Sequence, residues 1–130
     1  MVLGVGTDVV AVARVKDALL RHPRLRDRLF TEGEREACFR LRDPYPSCAA
    51  RFAAKEAFLK ALGTGWGEGI RWREVEVVGR PGTRPRIAVH GRAAEIFARA
   101  GGSAIHLTMS HDAGVALATC VIEGPAAAAL

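Results

Sequence analysis

Lysine is nearly absent from this sequence. Only Lys16, Lys55 and Lys60 carry an ammonium among 19 basic residues, and the rest are arginine. No apolar run approaches the roughly 20 residues that a bilayer-spanning helix needs, which excludes a helical membrane span. The opening "MVLGVGTDVV" lacks a basic flank, and Asp8 interrupts its apolar residues, so no signal peptide is expected. Cysteine is limited to Cys38, Cys48 and Cys120, with no CxxC pair and no nearby histidine spacing. That argues against a zinc site, and an odd count points to reduced thiols in a cytoplasmic protein. The "GVG" of residues 4–6 lacks the third glycine of a dinucleotide fingerprint.

What is present fits one globular domain. The 130 residues are 49% hydrophobic, too apolar for a disordered chain. The net charge of +5 and pI near 9.7 imply an anionic partner, if any: nucleic acid, a phosphorylated small molecule or an acidic protein. Arginine suits bidentate contacts to phosphate or carboxylate, although a GC-rich genome would produce the same bias.

Residues 2–10 read as a buried strand and 11–20 as a short amphipathic helix. The stretch 21–28, around Pro23, reads as a broken turn or short helix. Thr31 followed by Glu34 is a capping-box signature and opens a helix to about Leu41. "RDPYPS" reads as a loop ending in Ser47, a plausible N-cap for a helix over 48–62, with Gly63 as its stop. Residues 73–79 and 86–90 alternate as strands joined by a turn, "RPGTRP". A helix over 91–101 precedes two strands with a turn near 112–114. The domain is expected to occupy 1–123, with 124–130 as a low-complexity tail. The order of elements predicts an α+β fold with a mainly antiparallel sheet and a long central helix.

That central helix, "RFAAKEAFLKALGTG", poses a question: why are Arg51, Lys55, Glu56 and Lys60 set in an otherwise apolar helix? At 100° per residue Glu56 and Lys60 lie close together, and Arg51 and Lys55 form a second pair on another arc. A helix apolar nearly all round belongs in a core or an interface, where charges are costly unless paired or bound to an ion. A surface i,i+4 pair would account for Glu56 and Lys60. A carboxylate metal ligand beside a phosphate-binding ammonium would account for them too.

Asp8 is the second clue. It follows two glycines near the end of an apolar strand, which fits a turn former or helix cap. It also fits a metal-phosphate site in which ligands approach the bare backbone. "SHD" at 110–112 cannot be a triad by itself, because Ser110 and His111 point to opposite faces of a strand. A lone His111 is as readily structural as catalytic.

"GVGTDVVAVARV", "RFAAKEAFLKALGTG" and "LTMSHDAGVALATCVIE", in this order, resemble bacterial holo-acyl carrier protein synthase, the small single-domain group of phosphopantetheinyl transferases. "GIRWREVEVV" and "GTRPRIAVHG" extend the resemblance over nearly the whole chain. Thr7 departs from the aliphatic residue usual there. The resemblance implies a phosphopantetheinyl transferase fold, a homotrimer, and transfer of phosphopantetheine from coenzyme A to a serine of apo-acyl carrier protein. Adenosine 3′,5′-bisphosphate would leave. It implies Mg²⁺ held by Asp8 and Glu56, with Lys60 on a phosphate oxygen. The implied coenzyme-binding set is Arg51, Lys60, Gly63, Arg84, Arg86, Ser110 and His111, with Lys55 beside Arg51 facing phosphates or a neighbouring subunit. Asp112 would help orient His111 or remove a proton; Glu56, Asp112 or a metal-bound water could each take the serine proton. Arg14, Arg21, Arg24 and Arg28 would dock the acidic carrier protein. Neither nucleic acid nor membrane is an expected partner. Two rival readings are a non-catalytic coenzyme A or nucleotide-binding module and a small basic nucleic-acid-binding domain. The second leaves Asp8 and Glu56 unexplained, and Trp66 and Trp72 lack a stacking pattern for it.

Overall fold

The computed structural model describes residues 1–79 and 83–126. Strand β1 (Val2–Ala11) leads directly into α1 (Val12–Arg21), followed by α2 (Leu25–Leu29), α3 (Glu32–Phe39) and the long α4 (Tyr45–Leu62). A single 3-10 turn (Trp72–Glu74) precedes β2 (Val75–Val78) and β3 (Arg86–Val89). Then come α5 (Gly91–Arg99), β4 (Ala104–Asp112) and β5 (Val115–Glu123). All strand pairs are antiparallel, as expected, but they make two sheets: β1-β5-β4, and the separate pair β2-β3. Residues 80–82 of the expected "RPGTRP" turn, and 127–130 of the tail, lie outside the described residues. Gly124 is buried and donates its N–H to the Met1 carbonyl at 3.0 Å, continuing the sheet one residue past β5.

Helix α4 lies across the three-stranded sheet. Ala53, Ala54, Ala57 and Phe58 are fully buried, and small side chains let the helix come close. Gly4 and Gly6 complete the contact. A Cβ on Gly4 would stand 1.8 Å from the Ala61 carbonyl oxygen, and one on Gly6 would stand 2.0 Å from that of Ala57. The space in front of these glycines is therefore filled by helix backbone, not by a ligand. Their alternation also fixes Asp8 on the face turned toward α4.

Two expectations at helix α4 need correction. It starts at Tyr45, not after Ser47, because proline is tolerated in a first turn and Pro46 falls there. Asp43, not Ser47, accepts the Tyr45 N–H, at 3.2 Å. At the other end Gly63 takes φ +82° and closes the helix onto the Leu59 carbonyl at 2.8 Å. The Thr31–Glu34 capping box forms as expected, with bonds of 3.2 and 2.9 Å. The β4–β5 turn is built from Ala113 (φ 51°) and Gly114 (φ 80°), the left-handed pair of a type I′ hairpin. All three cysteines are buried and free, and burial pushes the Cys120 thiol up to about 12.

Candidate active site

The four charges of α4 meet four different surroundings. Lys60, half exposed, donates from Nζ to Asp8 Oδ1 and to the Thr7 carbonyl, both at 3.0 Å. Glu56 accepts from the Trp66 indole N–H at 3.4 Å through Oε1. Among the described residues Glu56 and Lys60 do not pair with each other, so the surface i,i+4 account does not hold. Asp8, only 16% exposed, sits between the buried sheet face and solvent. Strand β1 carries it, so its backbone is fixed by pairing with Ala118 of β5.

Lys55 does not face solvent, coenzyme or a neighbouring subunit. It is fully buried, and its ammonium reaches Glu34 Oε1 at 2.8 Å and the carbonyls of Val75 and Trp72 at 2.6 and 3.1 Å. Glu34, 1% exposed, also accepts the Thr31 and Val77 N–H groups. Burial pulls the Lys55 ammonium below the usual lysine range, opposed by the adjoining carboxylate. The residue is therefore a strut joining α3, α4 and the start of β2. Sequence spacing had paired it with Arg51, but a partner 21 positions away on α3 decides its place.

Arg51 does face open space. Its Nε is buried without a hydrogen-bond partner among the described residues, and one terminal nitrogen reaches the Ser47 carbonyl at 3.5 Å. The guanidinium lines a pocket of about 290 Å³ with Arg40, Pro85 and Met109. An adjoining pocket of about 520 Å³ holds Arg84 and Arg86 and shares Pro85 and Met109 with it. Arg40 was not foreseen; its lone cation in a loop-bordering position gives no signal in sequence.

His111 and Asp112 end β4, and both are exposed. Register puts His111 opposite Ala116 and Met109 opposite Ala118, so His111 shares the sheet face of Asp8 while Ser110 lies on the other. Strand β5 lies between and His111 is two residues further along, a separation of roughly 12 Å at ordinary strand spacing and rise. Asp112 Oδ1 accepts the Ala113 N–H at 2.9 Å and so serves the turn. The sheet's outer face exposes Val5 and Val9 (61% each) and Leu117 (44%).

The arginines read as a docking face divide. Arg14 edges an apolar groove of about 280 Å³ walled by Val15, Leu19, Leu25 and Leu29. Arg21, seven residues on and so on the same side of α1, pairs with Asp17 at 3.2 Å. Arg24 is exposed, and Arg28 lines a larger cleft of about 800 Å³ with Arg71, Trp66 and Trp72. The two tryptophan rings touch at a tilt of 31°, centroids 3.7 Å apart, and Trp72 stacks on Phe52 at 5.2 Å. Their contact is with each other across the glycine-rich loop of residues 63–71, a pairing that composition did not reveal.

Asp8 therefore pairs with Lys60 at the junction of β1 and α4, and Glu56 lies one turn earlier on α4. Each carboxylate has one oxygen engaged by a side chain, and no second bond falls on either among the described residues. Hard oxygen donors in this number fit Mg²⁺, which keeps most of its waters when protein-bound.

A family model described as the 4′-phosphopantetheinyl transferase superfamily matches residues 4–120. The chain belongs to that family. It is 46% identical over 122 residues to a holo-(acyl-carrier-protein) synthase of Syntrophotalea carbinolica, covering 93% of this chain and 95% of that one. The Neisseria meningitidis synthase structure superposes with a TM-score of 0.86 at 29% identity, over 95% and 99% of the two chains. The Helicobacter pylori synthase, solved in complex with coenzyme A, gives 0.80 at 28% identity over 92% and 99%. The two-sheet α+β arrangement with its long helix is thus a phosphopantetheinyl transferase fold, and the chain is an enzyme of that kind. The family assignment leaves no need for either rival reading.

Proposed function

We propose that this phosphopantetheinyl transferase moves the phosphopantetheine arm of coenzyme A onto a serine hydroxyl of apo-acyl carrier protein, with Mg²⁺, releasing adenosine 3′,5′-bisphosphate. The observation that carries the reading is the Asp8–Lys60 pair, 3.0 Å apart and joining β1 to α4, with Glu56 one helical turn before Lys60. Breaking a pyrophosphate P–O bond demands positioning and charge neutralisation more than covalent help. Asp8 and Glu56 would hold the ion, which when bound supplies Lewis-acid polarisation of the pyrophosphate. Lys60, half exposed, turns from Asp8 to a phosphate oxygen and offsets its charge. Arg51, with its unpartnered buried Nε beside Arg40, receives a further coenzyme phosphate. Gly63 contributes by ending α4 where the coenzyme approaches, and Ser110 and His111 approach it from β4. Glu56 and Asp112 are the chain's own candidates for the serine proton.

Arg14, Arg21, Arg24 and Arg28 meet the acidic carrier protein, with the apolar groove of α1 and α2 beside Arg14 as the contact floor. We assign the catalytic domain to residues 1–124, one residue past the expected 123 because Gly124 is buried and bonded to Met1, and place the protein in the cytoplasm. We further propose a homotrimer. Helix α4 gives no support for this, since the chain's own sheet covers it. The support is the exposed apolar strip of Val5, Val9 and Leu117. In the trimer Arg84 and Arg86 reach the coenzyme of the adjoining copy. Mixing Glu56→Ala with an Arg84→Ala/Arg86→Ala variant at equal amounts leaves about a quarter of interfaces intact. Activity near that fraction supports the shared site; none, after proven exchange, refutes it.

The principal test is intact-protein mass spectrometry of apo-acyl carrier protein incubated with coenzyme A and Mg²⁺. A phosphopantetheine adduct is expected. Chelation should abolish it, and Glu56→Ala should slow it at least about a hundredfold. No adduct would refute the function; undiminished turnover by Glu56→Ala would refute the metal assignment alone.

A further inference from the structure

We infer that Trp66 is a positioning residue for the Glu56 carboxylate. The inference rests on the reading of Glu56 as a metal ligand. A glutamate side chain has three rotatable bonds, and a ligand free to sample them must lose that freedom when the ion arrives. The indole N–H of Trp66 holds Oε1 at 3.4 Å and leaves Oε2 free of protein partners among the described residues. An outer partner of this kind orients a ligand without touching the ion.

The indole itself is held. It lies against Trp72, tilted by 31°, and Trp72 stacks on Phe52 at an interplanar angle of 19°. The Trp72 carbonyl accepts a bond from the buried Lys55 ammonium at 3.1 Å. Phe52, Lys55 and Glu56 are at i, i+3 and i+4, on one side of α4. The glycine-rich loop thus leaves the helix after Gly63 and returns to that same side, carrying a donor to Glu56. Among the α4 charges, Glu56 is the one whose partner comes from this loop.

Trp66→Phe retains an aromatic ring for the stack and removes the N–H. Mn²⁺, as a spectroscopic substitute for Mg²⁺, can be titrated by electron paramagnetic resonance in the presence of coenzyme A. The expected result is affinity weakened about tenfold, the lower end for loss of an outer-shell partner, with the thermal midpoint within a few degrees of wild type. Trp72→Phe leaves Trp66 as the only tryptophan, and its emission should then change on Glu56→Gln and on adding Mn²⁺. Unchanged Mn²⁺ affinity in Trp66→Phe, with binding abolished by Glu56→Ala, overturns the positioning role and leaves the metal reading standing. Unchanged affinity in Glu56→Ala overturns both. Emission indifferent to Glu56→Gln overturns the contact itself, whether or not Trp66→Phe folds.

Discussion

Replacing Lys55 with methionine keeps most of the side chain's volume and removes one buried positive charge. The ammonium has no exposure and three partners within 3.1 Å, and its carboxylate partner Glu34 is 1% exposed. Loss of one member of a buried pair costs about 3–5 kcal/mol, because the other charge stays in a low-dielectric site. Two backbone donors, Thr31 and Val77, remain on Glu34 and hold the expected loss near the lower end, about 3–4 kcal/mol. For a domain of this size that is roughly 10–15 °C in thermal midpoint. The double variant Lys55→Met/Glu34→Gln removes the stranded charge. It should be more stable than Lys55→Met alone by at least about 1.5 kcal/mol, since most of the single-variant loss is the unpaired carboxylate. Urea unfolding followed by circular dichroism gives these values, provided the slope with denaturant is unchanged. The reasoning fails if the two single losses add within about 0.5 kcal/mol. It fails differently if Lys55→Met raises KM for coenzyme A tenfold without loss of stability. Lys55 would then face the coenzyme, as the family resemblance implied.

Gly6→Ala places a Cβ about 2.0 Å from the Ala57 carbonyl oxygen, so a loss of at least about 2–3 kcal/mol is expected in urea unfolding. Unchanged stability would mean that the strand and helix can separate. Arg14→Glu should raise KM for carrier protein far more than for coenzyme A, because it reverses a protein-facing charge; equal rises count against docking. Burial works against ionisation of Glu76, but bonds from Thr31 and His90 outweigh it and hold the carboxyl below its ordinary 4.5. Its contribution to stability is present above that value and lost as pH falls through the folded one. Glu76→Gln should therefore flatten the acid limb of stability against pH below about 4.5; an identical limb refutes the role. Ala113→Gly relieves a left-handed alanine at φ 51° and should stabilise by about 1 kcal/mol in the same assay, an effect absent if the turn is not type I′.

Local rules carried the sequence reading where neighbours in the chain are neighbours in space. The Thr31–Glu34 box, the Gly63 stop and the 112–114 turn each depend on a few consecutive residues, and each forms. The start of α4 was misplaced because serine is a good cap, yet Pro46 can occupy a first turn and Asp43 supplied the bond. The partners of α4 were out of reach for a different reason. Lys55 meets a glutamate 21 residues earlier and Glu56 a tryptophan ten residues later, across a loop with no periodicity. A helical wheel shows which charges share an arc; it cannot show what stands opposite that arc. Asp8 and Lys60 were associated through family resemblance and not through periodicity, and their 3.0 Å contact spans 52 residues of chain.

The glycines of "GVGTD" show how packing and chemistry become one constraint. Their bareness suggests room for a ligand, but the room is taken by α4. Asp8 is two residues beyond Gly6 on the same strand face, and Lys60 is on the helix turn that Gly6 admits, its Cβ 2.9 Å from where a Gly6 Cβ would stand. The distance between sheet and helix therefore sets the distance between the two charges. Glu56, one turn before Lys60, is carried by the same rigid body. A side chain at Gly6 would push α4 outward and separate Asp8 from both Lys60 and Glu56, so the lost stability and the lost electrostatic arrangement would come from one displacement. Catalysis by positioned charge tolerates little such movement, since a misplacement of about 1 Å can cost on the order of a hundredfold in rate. A strand and helix in backbone contact hold that spacing better than a loop could, which suits the role proposed for a carboxylate so near the core.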